Sequence, residues 1–359
     1  MANDVFVIGA GPAGIAAAIA ARQKGFRVTV ADGQQPPIDK ACGEGLMPEA
    51  LEALGELGVE LPCADAFPLR GVRFVGAGAA VEAPFPGGAG AGVRRTTLHQ
   101  ALVEEAEARG VEFRWNSPVS GDSIHKIDAD WIVGADGASS HVRAWAGLDG
   151  CVSDTWRFGF RRHYQIAPWS DQIEIYWGDG VEVYATPVAP DEVGIAVLSS
   201  DPKLRVDDAL PEFPELEERL REAPHSSVER GAITATRKLR EVARGNIALV
   251  GDASGSVDAI TADGLCLGFL EATALARAME RGDLTLYDKA HARLARRPRF
   301  MAELMLTMDG SPWVRERALA AMAAHPWLFG GLVAMHVGRL PAPQFAAVCA
   351  VLGWRMLTA

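Results

Sequence analysis

Apolar positions along this chain fall into two rhythms. Val5-Phe6-Val7-Ile8 is a short unbroken apolar run, as a strand buried on both faces requires. Gly9, Gly11 and Gly14 follow, and the alanine-rich stretch 15–24 predicts a helix that Gly25 stops. Residues 27–31 predict a second strand with Asp32 at its end. Pro48–Leu57 predicts a helix, as does 97–109, where Leu98, Leu102 and Ala106 share a face and Gly110 follows. Buried strands are predicted at 111–115, 131–134 and 246–250. Residues 71–93, rich in glycine and alanine, predict a hairpin and loop. Between 157 and 198 the rhythm changes to alternation, with Phe158 and Phe160, then Ile173, Ile175 and Trp177, then Val181 and Val183. Residues 201–230 are polar and predict helix, and almost everything from Gly264 onward has helical spacing.

These rhythms predict an α/β fold: a parallel-sheet Rossmann-like domain, an antiparallel-sheet substrate lobe and C-terminal helices. The first domain is assembled from 1–70, 94–150 and 237–290. The lobe takes 71–93 and 151–236, and the helical segment takes 291–359. With 359 residues, 49% of them hydrophobic, the chain is long enough for a substantial core and is not a disordered sequence. The net charge of −11 disfavours nucleic acid as a partner. Five cysteines without a CxxC disfavour a disulfide scaffold or zinc site and fit a cytoplasmic protein. Neither a leader peptide nor an integral membrane segment is expected, since Met1-Ala2-Asn3-Asp4 runs straight into the first strand and no apolar run reaches about 20 residues.

Gly9-x-Gly11-x-x-Gly14 carries the first chemistry. Gly9 permits the tight turn, Gly11 lets backbone approach a pyrophosphate, and Gly14 lets helix and strand pack. The following helix start, including Ala13, offers free N–H groups to phosphate. Asp32-Gly33 then closes a complete βαβ unit, its carboxylate placed for ribose hydroxyls.

Two later segments identify the dinucleotide. Gly134-Ala135-Asp136-Gly137 through Arg143 resembles the Asp-Gly motif of flavin monooxygenases and their relatives. The stretch 246–264, with Gly251-Asp252-Ala253, resembles the Gly-Asp motif of the same superfamily. The resemblance implies a glutathione-reductase-like FAD fold. In it Asp252 would hold the ribityl hydroxyls, and the helix begun by Gly264-Leu265 would face the flavin pyrimidine. Asp136 and Arg143 occupy matched positions, and Arg95-x-x-Leu98 looks like the family arginine near the FAD phosphates. With no second GxGxxG after a strand, NAD(P)H would be a transient reductant.

The reaction rests on fewer residues. Lys40-Ala41-Cys42-Gly43-Glu44-Gly45 looks like the Cys-Gly segment beside the flavin in geranylgeranyl reductases. Cys42 is either a proton donor or an ordinary buried thiol; Glu44 is either an active-site acid–base or a solvated loop carboxylate. Thr261-Ala262-Asp263-Gly264 is more like the prenyl-reductase Thr-Gly-Glu-Gly than the aromatic-hydroxylase pattern. Yet Tyr184-Ala185-Thr186-Pro187 lacks the aromatics of the prenyl-reductase signature, and no halogenase Trp-x-Trp pair occurs. Arg161 and His163 are either surface residues or pocket residues. The first expectation is an FAD-dependent monooxygenase using NAD(P)H and O2 on an apolar or aromatic small molecule, in secondary metabolism. The alternative is an FAD-dependent reductase of isoprenoid or other C=C bonds. A flavin-binding protein without turnover comes third.

Overall fold

The computed structural model describes residues 4–76, 78–124 and 126–358; Met1–Asn3, from which the leader reading starts, lie outside them. Six strands form the first sheet, in the order Ala243–Arg244, Ile247–Leu249, Trp131–Gly134, Asp4–Ile8, Arg27–Ala31 and Glu112–Arg114. All neighbours run parallel except the first pair. Val5, Val7, Val28, Val30, Ile132 and Val133 are buried, as a sheet covered on both faces demands. Helices Pro12–Gln23, Arg95–Ala108 and Gly264–Glu280 share its core through Ile15, Ile19, Leu98, Leu102, Phe269 and Leu275. Gly268 lets the first and last of these approach: a Cβ there would lie 3.1 Å from the Ala13 methyl.

The second sheet has seven strands, in the order Arg230–Leu239, Cys151–Gln165, Glu192–Ser199, Val181–Ala189, Gln172–Trp177, Gly71–Gly76 and Ala79–Pro84. Its neighbours are antiparallel apart from the parallel pair Gln172–Trp177 and Gly71–Gly76. Four helices, Arg296–Asp309, Pro312–Ala324, Pro326–His336 and Ala342–Thr358, build a second core on it. That core is rich in methionine and includes Met47, Phe74, Trp177, Tyr184, Met305, Met322 and Phe329.

Two expectations need correction. Residues 90–93 are a strand rather than loop, pairing with Gly45–Leu46 and Ala66–Leu69 in a three-stranded sheet. Its glycines hide it from propensity but permit it sterically. A Cβ at Gly90 would lie 2.3 Å from the Leu46 carbonyl oxygen, and one at Gly92 only 1.7 Å from that of Pro187. The polar stretch 201–230 holds only the short helices Val206–Ala209 and Pro214–Leu220, with a single 3₁₀ turn between them. Pro211 and Pro214 interrupt any longer helix.

One guanidinium ties the lobe, the 251–264 connection and the C-terminal helices together. Buried Arg157 reaches Glu182 at 2.5 Å, Asp258 at 3.3 Å and Asp309 at 3.4 Å. Burial, with Asp309 nearby, holds the Glu182 carboxyl well above its usual range although Arg157 pulls it down. A carboxyl raised on folding binds its proton more tightly in the native state. Its contribution to stability is therefore present at low pH and fades as pH rises. Arg157→Met strands these acids and should cost about 3–5 kcal/mol, read as a lower urea midpoint. An unchanged midpoint would show that Arg157 does not hold the three parts together.

Candidate active site

The parallel strands end on one edge, and the glycine turn is pressed against it. Gly9 has φ +108°, and a Cβ on it would lie 2.4 Å from the Ala135 carbonyl oxygen. A Cβ on Gly14 would lie 2.0 Å from the Gly9 carbonyl oxygen. Gly11 instead faces open space, and no side chain caps the helix Pro12–Gln23 that begins beside it. This leaves N–H groups directed out of the turn. The Asp32 carboxylate accepts from the Ala10 N–H at 2.7 Å and the Gln34 N–H at 2.8 Å, so it braces the turn at its far end. Gly33 is exposed beside it.

The second and third segments meet this edge. Asp136 caps the helix His141–Trp145, accepting from Ser140 Oγ at 2.5 Å and from the N–H groups of His141 and Val142. Arg143 is buried; it donates to the Ala138 carbonyl at 3.0 Å and the Ala253 carbonyl at 3.1 Å. It therefore clamps the Asp-Gly segment to the Gly-Asp turn. Gly251, at φ +59°, donates to Glu271 at 2.8 Å and lies over Ala13, where a Cβ would come within 2.7 Å. Ala13 is thus packed between turn and helix.

The Asp252 carboxylate has no hydrogen-bonding partner among the described residues, and solvent reaches it. It is nonetheless ringed by protein: burial raises its carboxyl pKa while the Arg95 charge pulls it down. Arg95 Nε is itself buried without a partner. The helix Gly264–Glu280 starts with no side-chain cap, and Gly264, like Gly43, faces open space. An unpartnered carboxylate, an unpartnered guanidinium nitrogen, two uncapped helix starts and three open glycine faces are groups able to hold a long dinucleotide.

The Cys42 loop supplies the other wall. Cys42 is half-buried, and its Sγ accepts from the Glu44 N–H at 3.4 Å. Burial raises its thiol pKa above the ordinary 9.0, while Arg95 pulls it down. The thiol and the Asp252 carboxylate therefore both sense the Arg95 charge. Glu44 is buried and sits at φ +57°, an uncommon backbone state for a non-glycine residue. Its Oε1 accepts from the Arg95 N–H at 2.7 Å, and its Oε2 meets His163 Nε2 in a short contact. Arg161 donates to His163 Nδ1 at 3.0 Å and to Asp39 at 2.5 Å, and Ser227 Oγ lies 2.7 Å from the same Nδ1. Since arginine only donates, Nδ1 must accept, and the proton sits on Nε2 facing Glu44.

Both Arg161 and His163 are fully buried, so the surface alternative for each is excluded, as is the solvated alternative for Glu44. Sequence reading missed that Glu44 and His163 pair. The only local signal is Gly194, opposite His163 on the next strand, where a Cβ would lie 3.3 Å from Glu44 Oε2. It also missed Asp39 as the partner of Arg161. Lys40 Nζ stands 3.8 Å from a Cβ built on Gly137, placing it over the Asp-Gly segment. A separate cavity of about 140 Å³ adjoins the Gly264–Glu280 helix, lined by Glu49, Asp263, Cys266 and Arg297; it shares none of the crevice groups above.

Comparison with known proteins agrees with this geometry. The menaquinone reductase of Mycolicibacterium smegmatis is 30% identical over 323 residues, covering 80% of this chain and 78% of that protein. The digeranylgeranylglycerophospholipid reductase of Methanosarcina mazei is 29% identical over 320 residues, covering 79% and 77%. The solved structure of 2-methyl-3-hydroxypyridine-5-carboxylic acid oxygenase shares the fold, with a TM-score of 0.70 at 23% identity over 94% of this chain and 96% of its own. The FAD binding domain family matches residues 2–297, and this chain belongs to that family of flavin-dependent oxidoreductases.

Proposed function

We propose that this protein is an FAD-dependent reductase of carbon–carbon double bonds in an isoprenoid or similarly apolar small molecule. The observation that carries the reading is the place of Cys42: a half-buried thiol, in a loop that Glu44 ties to the start of the Arg95–Ala108 helix, in a chain whose curated relatives over four-fifths of its length are named as reductases. FAD, when bound, supplies the electron pair, and NAD(P)H is the reductant we propose to recharge it.

The chain's own part is binding and a proton. Gly9, Gly11, Ala13 and Gly14 shape the pyrophosphate turn, braced by Asp32 and Gly33, while Arg95 answers phosphate charge. Asp136 and Arg143 fix the neighbouring backbone. Gly251 and Asp252 take the ribityl hydroxyls, and the helix start at Gly264-Leu265 faces the electron-rich end of the ring, where a positive dipole end favours negative charge. Cys42 Sγ gives its proton to the substrate carbon, and the Arg95 charge steadies the thiolate left behind. Glu44 holds the Cys42 loop against the start of the Arg95–Ala108 helix and is itself held by His163 Nε2–H.

A second reading, monooxygenation by NAD(P)H and O2, draws on the fold shared with the pyridine-carboxylate oxygenase. Oxygen separates the two. With the flavin chemically reduced under argon, the reductase reading expects a geranylgeranyl lipid or a menaquinone to gain two hydrogens. Product that appears only in air, carrying one added oxygen, would overturn it.

Two variants probe the residues. Asp252→Ala leaves ribityl hydroxyls unmatched, so FAD affinity should fall by about 1–3 kcal/mol in a titration of apoprotein; unchanged affinity would remove Asp252 from the cradle. Cys42→Ser should keep FAD but lower kcat about 100-fold or more. The wild-type rate should decline at alkaline pH as the thiol loses its proton above its ordinary 9.0, and the variant should lack that limb. Full activity in Cys42→Ser would return the thiol to a packing role.

A further inference from the structure

The last 69 residues differ from the rest of the chain in two independent ways. The first is charge. Residues 291–359 hold eight arginines, no lysine and three acidic residues, making this segment +5; the whole chain is −11, so the first 290 residues carry −16. Of the three acids, Asp309 is turned inward to Arg157 while Glu303 and Glu316 are outside; of the eight arginines, Arg297 pairs with Glu49, Arg339 pairs with Glu52 and Arg315 is buried. Arg293, Arg296 and Arg355 are exposed and make no ion pair among the described residues. The second is exposed apolar surface. Of eight large hydrophobic side chains that stand out from the surface among the described residues, five belong to these helices: Phe300, Trp313, Trp327, Trp354 and Leu357.

Helix packing brings some of them together. Helices Pro326–His336 and Ala342–Thr358 are joined by a short connection and pack at Gly331 against Val348. Arg317, on the helix Pro312–Ala324, donates to the Met356 carbonyl and lies over the Trp313 ring, bringing Trp313 to the end of the last helix that carries Trp354. Phe300 packs edge-on against Phe345, and Arg296 stands one helical turn before it on the same face. Tryptophans next to arginines, on an otherwise acidic protein, match the boundary between headgroups and acyl chains, where indole rings rest and arginine meets phosphate. No single helix among the described residues is long and apolar enough to cross a membrane. Helices Pro312–Ala324 and Pro326–His336 reach that apolarity only together, and they are bent by 108°.

We propose that the C-terminal helices form a docking face for an anionic lipid bilayer, seated by Trp313, Trp327 and Trp354 and steered by Arg296 and Arg355. Docking places the protein at the phase in which a long isoprenoid substrate is dissolved. The binding face does not depend on which reaction the crevice performs, so its test uses no substrate.

FAD-loaded protein is sedimented with vesicles of phosphatidylglycerol mixed with phosphatidylcholine, and with phosphatidylcholine alone. The expected result is binding to the anionic vesicles, a blue shift of tryptophan emission, and weakening as salt rises. The triple variant Trp313→Ala, Trp327→Ala, Trp354→Ala should bind about tenfold less or weaker while keeping its FAD and circular dichroism. Arg296→Glu with Arg355→Glu, a variant that leaves the aromatic anchors in place, should lose the preference for anionic lipid. Failure of the wild type to bind either vesicle, or undiminished binding by both variants, overturns the proposal. So does light scattering that shows a dimer which the tryptophan variant dissolves, since the face would then belong to a second copy.

Discussion

The structure depends on how closely three backbones approach at the carboxyl edge of the parallel sheet. Gly9 lies so near Ala135 that a methyl group on it would overlap the carbonyl oxygen. Gly14 lies as close to Gly9, and Gly251 to Ala13. Ala135 N–H donates to Ile8 at 2.7 Å and Val250 N–H to Gly134 at 2.9 Å, so the three chain segments are registered by the sheet itself. Side chains at these glycines would push the segments apart. The free helix starts, the open face of Gly11 and the Asp252 carboxylate would then no longer lie at one edge. Sheet register thus brings glycine positions far apart in sequence together.

Buried charge is the second organising feature, and it is paired almost everywhere. Arg157 gathers three carboxylates from three parts of the chain. Arg143 joins the two flavin motifs through carbonyls. Glu44, His163 and Arg161 lock the Cys42 loop to the seven-stranded sheet, with the left-handed backbone at Glu44 turning its carboxylate inward. Arg95 differs: among the described residues its guanidinium has no ion-pair or hydrogen-bonding partner, and the solvent-facing Asp252 carboxylate, which senses its charge, has none either.

Much of this was legible in the sequence because the relevant signals are local. The run Val5 to Ile8, the glycines after it and Asp32 specify a βαβ unit whose physics operates within about 30 residues. The helix Pro48–Leu57 and the strand Trp131–Gly134 follow from apolar spacing and breakers, and the structure gives the bounds read from them. The strand Gly90–Val93 was not legible, since its glycines carry no strand propensity and its reason lies in Leu46 and Pro187 across the packing. Glu44 reads as a loop carboxylate until His163, 119 positions later, is brought against it. The roles of Asp136 and Arg143 show the same limit. Motif resemblance marks the right neighbourhood, but only the hydrogen bonds show that these two side chains spend themselves on bracing backbone.

The central claim is that separated segments hold both halves of one coenzyme, the adenosine end by the first turn and the flavin end by the Gly-Asp turn. The most direct measurement is calorimetric titration of apoprotein with FAD and with FMN, which carries the flavin and ribityl chain but no adenosine. The account predicts one FAD per chain and far weaker binding of FMN. Equal affinity for the two would contradict it, because the glycine turn at Gly9 to Gly14 would then contribute nothing to holding the coenzyme.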